Sequence, residues 1–259
     1  MDGAKPITTP ISTTSTLSKH LGKPLSNPTE YRSLVKALQY VTLTRPDISF
    51  AVNKVYQFMA TPTDIHWSLV KRILRYLKGS LHYGLHLQQS PSQSLTAFSD
   101  VDWASCPDDK KSTSGYLIFL GPNLISWQSR KQQTAARSST KSEYRALVLA
   151  TSELTWLQSL LSELGVCLPH SPILWCDNIG ATYLSVNPVF HARTKHIEID
   201  FHFVRDKVAK RDLQVHFIST QDQIADILTK GLPSGQFSSL RSKLQLLPRP
   251  LSLWGDVRI

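Results

Sequence analysis

Leu95-Thr-Ala-Phe-Ser-Asp-Val-Asp-Trp-Ala104 opens as a short apolar run and ends in two acids, Asp100 and Asp102. Apolar runs of this length, bounded by turn residues, read as buried strands. A carboxylate at the end of such a strand is costly unless a partner neutralises it. Three later elements carry acids in similar settings. Glu143 opens a helical pattern, Asp177 ends the run Ile173-Leu-Trp-Cys-Asp177, and Asp226 lies in Asp222-Gln-Ile-Ala-Asp-Ile-Leu-Thr-Lys230. Carboxylates that converge from separate elements suit a hard divalent cation such as Mg²⁺, which prefers oxygen ligands. The sequence therefore predicts a metal-dependent phosphodiesterase site built from Asp100, Glu143, Asp177 and Asp226.

Composition sets the frame for that site. The chain has 259 residues, 41% of them apolar, enough for a substantial core. The formal net charge of +10 points to a polyanionic partner, most often nucleic acid, although a basic unspecialised protein fits charge alone equally well. Cys106, Cys167 and Cys176 show neither zinc spacing nor even pairing, which predicts a reducing compartment without a disulfide framework. No run approaches 18 apolar residues and the first residues lack a secretory core, so an intracellular protein without a membrane partner is expected.

Taken in order, residues 1–28 are rich in Ser, Thr and Pro and read as a linker with little order of its own. Residues 29–80 read as a helical unit. Leu34, Leu38 and Val41 mark a first helix, Ile48, Val52 and Val55 a second, and Trp67, Val70, Ile73, Leu74 and Leu77 a third that carries Lys71, Arg72, Arg75 and Lys78 on another face. Those four cations read first as a solvated face. The polar tract Gln88–Ser94 marks a boundary, or else a long turn that would pair Tyr83–Leu87 with the strand at 95–99. Residues 81–234 read as one α/β domain with strands at 95–100, 115–120 and 124–128, a helix over 141–164, a strand at 173–177, helices at 178–186 and 196–209, a strand at 213–218 and a last helix over 221–230. The expected architecture is a mixed sheet with flanking helices. Residues 235–259 read as a tail.

Each acid also has an ordinary explanation. Thr140-Lys-Ser-Glu143 fits a capping box, in which the glutamate serves the helix start, and alone this is the better reading of Glu143. Asp226 suits the first turns of a helix. Asp102 suits the turn after its strand. Asp177 is hardest to dismiss, because it ends a continuous apolar strand. His191, His196 and His202 share a segment but lack a cysteine partner or metalloprotease spacing, and no G-x-S-x-G elbow supports a serine hydrolase.

The order strand-Asp, helix-Glu, strand-Asp, helix-Asp resembles the ribonuclease H fold. Ser99-Asp-Val-Asp-Trp-Ala104, Lys111-Ser-Thr-Ser-Gly-Tyr116, Ser138-Ser-Thr-Lys-Ser-Glu-Tyr144, Cys176-Asp-Asn178, Arg193-Thr-Lys-His-Ile197 and Ala225-Asp-Ile-Leu-Thr-Lys230 resemble the ribonuclease H region of copia-type retrotransposon Pol polyproteins. Glu30-Tyr-Arg-Ser-Leu-Val35, Leu43-Thr-Arg-Pro-Asp-Ile48 and the stretch His66–Gly79 resemble the thumb-like region that follows the polymerase palm in the same polyproteins. The resemblance implies Asp100, Glu143, Asp177 and Asp226 as catalytic metal ligands for Mg²⁺, with Mn²⁺ as a substitute. It implies hydrolysis of the RNA strand of an RNA–DNA hybrid, with the palm or other element proteins as partners, in cytoplasmic particles or the nucleus. Arg130, Lys131, Arg137 and Asn178 are the expected substrate contacts.

Some residues depart from that pattern. No Tyr-x-Asp-Asp motif is present, so no polymerase activity is expected of this chain. Lys141 stands where the family often has an acid, and no histidine lies between Phe217 and Asp226, where many ribonucleases H carry one. A catalytically silent, nucleic-acid-binding remnant is the alternative reading, and a DNA-cutting nuclease is a third.

Overall fold

The computed structural model describes residues 3–15, 17–186 and 195–248, without the side chains of 195–201. The chain forms two compact units: one of residues 1–15, 19–87 and 231–259, the other of 16–18 and 88–230.

The first unit is built on α1 (Thr29–Val41), α2 (Ser49–Tyr56), α3 (Asp64–Gly79) and the short strand β1 (Tyr83–Leu85). In α1, Tyr31, Val35 and Leu38 recur at helical spacing and are buried. The Tyr31 hydroxyl donates to the Val55 carbonyl at 2.6 Å, so this inward tyrosine does not lose its polar partner. Pro46 interrupts the helical run and starts a 3₁₀ turn, Pro46–Ile48. That turn places Arg45 and Asp47 in a buried ion pair of 2.8 Å. Arg45 also donates to the Ser80 carbonyl at 2.9 Å, and the Tyr76 hydroxyl donates to Asp47. The four groups satisfy one another, which is what makes two charges tolerable in this interior.

Residues 3–15 are more ordered than a linker. Thr9, Pro10 and Ile11 are buried. Arg72 donates to the Thr9 hydroxyl at 2.8 Å and Arg75 to the Lys5 carbonyl at 2.7 Å. Two of the four cations on the basic face of α3 therefore hold this segment, and the solvated-face reading fails for them.

The second unit is a five-stranded mixed sheet: β2 (Leu95–Asp102), β3 (Thr113–Leu120), β4 (Asn123–Lys131), β5 (Ile173–Cys176) and β6 (Gln214–Phe217), in the spatial order β4-β3-β2-β5-β6. The first three form an antiparallel meander, while β5 and β6 run parallel to β2. The long helix α4 (Ser139–Glu163) crosses one face, and α5 (Ile179–Val186) and α6 (Lys195–Ala209) make the crossovers. Leu95, Ala97, Tyr116, Ile118 and Leu174 of the sheet pack with Leu147, Ala150 and Leu154 of α4 in one core. This is the mixed sheet with flanking helices that the sequence leads one to expect.

The last element of this unit differs from expectation. Instead of a helix over 221–230 there is a 3₁₀ turn, Ile224–Leu228, with the Gln223 side chain accepting from the Ala225 amide. The turn lies close over β3. A Cβ on Gly115 would sit 2.7 Å from Leu228 Cβ and 3.0 Å from Thr229 Cγ2, so only glycine permits the approach.

The chain then returns to the first unit. Of the expected tail 235–259 the described part is structured: α7 (Ser234–Lys243) buries Phe237 and Leu240, and β7 (Leu246–Pro248) pairs antiparallel with β1, while 249–259 lie outside the described residues. The alternative pairing of 83–87 with 95–99 is thereby excluded, because Tyr83–Leu85 takes Leu246–Pro248 as its partner. The two units divide between Leu87 and Gln88, at the polar tract Gln88–Ser94, so that β1 belongs to the first unit and not to an α/β domain starting at residue 81.

Candidate active site at the carboxyl ends of two parallel strands

Strand direction brings two of the acids together. Because β2 and β5 are parallel and Ser99 pairs with Cys176, the residues that follow, Asp100 and Asp177, emerge side by side at the same edge. Asp100 lies opposite Gly115 on the face covered by the 3₁₀ turn, and the Thr229 hydroxyl donates to it. That turn also delivers Asp226, which is buried.

Glu143 comes from α4 on the other face. The expected capping box does not form. Ser138 is the N-cap and its hydroxyl accepts from the Lys141 amide, so Thr140 and Glu143 fall inside the helix. Glu143 is 7% exposed and its Oε2 has no hydrogen-bond partner. Asp177 Oδ1 is likewise buried and unpartnered, while its Oδ2 accepts from Thr220 at 3.3 Å. Ligand atoms of Glu143, Cys176 and Asp177 all lie within 4.8 Å of one another.

The electrostatics follow from burying four acids in one place. Burial, with the charge of Asp226, pushes Asp100 up to about 6, against the pull of Lys230. Burial and the charges of Asp100 and Asp177 push Glu143 up to about 9. Burial raises Asp177 and Asp226 as well. The mutual influence of all four acids places them in one electrostatic cluster, short of positive charge.

Lys230 supplies part of that charge. Its Nζ lies 2.8 Å from Asp226 Oδ1 and 3.4 Å from Asp100 Oδ1. Sequence reasoning missed it, although the spacing Asp226-x-x-x-Lys230 would have put the two on one face of any helical turn. It also missed Thr229, Gln223 and Cys176. Gln223 donates to the Ser99 carbonyl at 2.9 Å and so ties the turn to β2 beside Asp100.

The expected substrate contacts separate into three settings. Arg130 is exposed on the edge strand β4 and, with Lys131 and Arg145, lines a cleft of about 370 Å³. Lys131 is engaged with Asp109 at 2.9 Å and with the Cys106 sulfur at 3.0 Å. Arg137 is exposed in the loop before α4, where Arg145 and Arg137 help to lower the pKa of Lys141, after desolvation. Asn178 Oδ1 accepts from the Ala181 amide at 2.9 Å and caps α5. Asp102 ends β2, half-buried, opposite Thr113. His191 and the side chain of His196 fall outside the described residues, and His202 is exposed.

With this geometry in hand, the relatives are informative. The Pol polyprotein from transposon RE2 of Arabidopsis thaliana is 49% identical over 256 residues, covering 99% of this chain and 18% of the relative. That from transposon TNT 1-94 of Nicotiana tabacum is 39% identical over 246 residues, covering 92% of this chain and 18% of the relative. This chain belongs to the copia-type retrotransposon Pol polyproteins. It spans less than one fifth of the length of these two copia-type relatives. No family model matches the chain. Among solved structures, a ribonuclease H1 isolated from compost is 16% identical, with a TM-score of 0.41, over 53% of this chain and 93% of that one. Among the described residues of this copia-type chain, no helix is long and apolar enough to cross a membrane.

Proposed function

We propose that this segment is a ribonuclease H that hydrolyses the RNA strand of RNA–DNA hybrids with Mg²⁺, for which Mn²⁺ substitutes. The observation that supports the reading is the pair Glu143 and Asp177, whose ligand atoms lie within 4.8 Å of one another with Glu143 Oε2 and Asp177 Oδ1 left without partners, together with the charges of Asp100 and Asp226 acting on Glu143. Buried carboxylate oxygens without donors are what a hard cation would complete. Asp100, Glu143, Asp177 and Asp226 would hold it. When bound, it would lower the pKa of water and stabilise developing charge on a phosphate oxygen.

The other side chains of the site have roles of their own. Thr229 and Lys230 fix the orientation of Asp100, and Gln223 holds the turn that carries Asp226. Arg137, Lys141 and Arg145 form a cationic cluster at the start of α4, on the element that presents Glu143. They supply phosphate contacts, which give affinity without reading sequence. Selectivity for the RNA strand rests on the 2′-hydroxyl and the shape of the hybrid.

The experiment is cleavage of a hybrid labelled on either strand, with and without Mg²⁺, beside Asp177→Asn. The expected result is metal-dependent cutting of the RNA strand alone, lost in the variant while the fold is kept. Equal cutting by Asp177→Asn overturns the assignment, and preferential cutting of duplex DNA makes the protein a DNA nuclease. A second reading, a silent hybrid-binding segment, is favoured by the ion pairs of Lys230 with Asp100 and Asp226, which already neutralise part of the site. Salt-sensitive hybrid binding with no cleavage by folded protein would establish it.

A further inference from the structure

Cys176 is the residue of this cluster that hydrolysis does not need. It is the last residue of β5, fully buried, on the face that packs against α4. The Asn178 amide donates to its sulfur at 3.4 Å, which fixes the thiol at the strand end. The sulfur and one oxygen each of Glu143 and Asp177 all lie within 4.8 Å of one another. Zinc–sulfur and zinc–oxygen bonds are about 2.3 Å and 2.0–2.2 Å, so small side-chain shifts that draw these atoms together would bring all three onto a single ion. Within this trio Glu143 Oε2, on a residue 93% buried, has no hydrogen-bond partner.

Ligand softness decides which cation fits. A carboxylate pair alone favours magnesium, calcium or manganese, whereas a thiolate shifts preference strongly toward zinc and its heavier congener cadmium. We propose that Glu143, Cys176 and Asp177 form a site for a thiophilic divalent cation, Zn²⁺ or Cd²⁺, overlapping the corner proposed for Mg²⁺. Binding forms one metal–sulfur and two metal–oxygen bonds and releases the Cys176 thiol proton and the Glu143 carboxyl proton to solvent, with no change of oxidation state. By taking Glu143 and Asp177 as ligands, the thiophilic cation competes with Mg²⁺ for this corner. Inhibition of cleavage follows from this and rests on the ribonuclease H reading; the binding itself does not.

The test uses the whole chain, reduced and free of nucleic acid, titrated with Cd²⁺ while the ultraviolet charge-transfer band of a cadmium–thiolate bond is followed. The expected result is a band that saturates at one equivalent, is lost in Cys176→Ser and is kept in Cys106→Ser and Cys167→Ser. Because Cys176 is a core residue and its substitution can cost the fold, Glu143→Gln serves as the second variant. It leaves every thiol in place and is expected to weaken Cd²⁺ binding by roughly tenfold or more. Loss of the band in Cys106→Ser, or a band indifferent to Glu143→Gln, overturns the proposal, as does the absence of any band in folded wild-type protein. The band is read without substrate, so a protein that binds Cd²⁺ but cuts nothing refutes the nuclease reading alone. A protein that cuts hybrids but shows no band refutes only the thiophilic site.

Discussion

Replacing Lys230 with methionine removes the one cation that, among the described residues, is paired with both Asp100 and Asp226, while keeping most of the side chain's stem. Removing one partner of a buried pair costs about 3–5 kcal/mol when the charge left behind cannot escape. Lys230 keeps 32% of its side chain exposed and Asp100 only 1%, so part of the interaction is already screened by water. We therefore expect a loss of about 2–3 kcal/mol at pH 8. For a unit of this size that is roughly 5–10 °C in Tm. The loss should depend on pH in a definite direction. Burial already holds Asp100 up to about 6, and without Lys230 it rises further. A carboxyl whose folded pKa lies above its unfolded value binds protons better in the folded state. Its contribution to stability is then greatest at low pH and falls as pH rises from the unfolded toward the folded value. At pH 5 the variant's Asp100 is protonated and the penalty should shrink below about 1 kcal/mol. The assay is thermal unfolding of Lys230→Met and wild type at pH 5 and pH 8, with and without Mg²⁺. Mg²⁺ should restore part of the loss at pH 8, because it replaces the missing positive charge. Equal destabilisation at both pH values, unmoved by Mg²⁺, would refute the electrostatic account and leave only packing of the lysine stem.

Three further outcomes are expected. Gly115→Ala forces a Cβ to within 2.7 Å of Leu228 Cβ, and should cost about 1–3 kcal/mol by overpacking. It should also weaken Mg²⁺ binding, measured calorimetrically, because Thr229 can no longer reach Asp100. Ser138→Ala should cost about 1 kcal/mol in denaturant unfolding and Thr140→Ala close to nothing, which separates the observed cap from the capping box. Asp47→Ala strands the Arg45 guanidinium in the interior of the first unit and should cost about 3–5 kcal/mol, read from the same denaturation curves.

The sheet and the four acids were readable because each rests on a local pattern. Continuous apolar runs end in Asp100 and Asp177, and a long helical stripe sets the direction of Glu143. What local pattern could not decide was which of several equivalent groups would act. Ser138, Ser139 and Thr140 are all competent caps, and the one chosen depends on where the chain leaves β4. That choice turns Glu143 from a helix-start residue into a buried, unpartnered carboxylate. The pairing of β1 with β7 joins residues more than 160 positions apart, and three-residue strands carry too little alternation to announce a partner. Arg72 and Arg75 looked like outward charges because their partners are a threonine hydroxyl and a backbone carbonyl. Lys230 carries no signal of its own in the sequence, since a lysine four residues from an aspartate is an ordinary surface pair until both acids are known to be buried.

The first unit closes only when β7 meets β1, and between those strands the chain spells out all of the second unit except residues 16–18. During synthesis on a ribosome, the catalytic candidate is complete at Lys230, while the helical unit that began earlier still waits for its last strand. The order of emergence is thus the reverse of the order of beginning. A stop codon between Gly231 and Leu246 would spare every acid of the sheet edge and still leave Tyr83–Leu85 without its neighbour. Late nonsense changes in such a gene would strike the older half of the message's product while sparing the newer one.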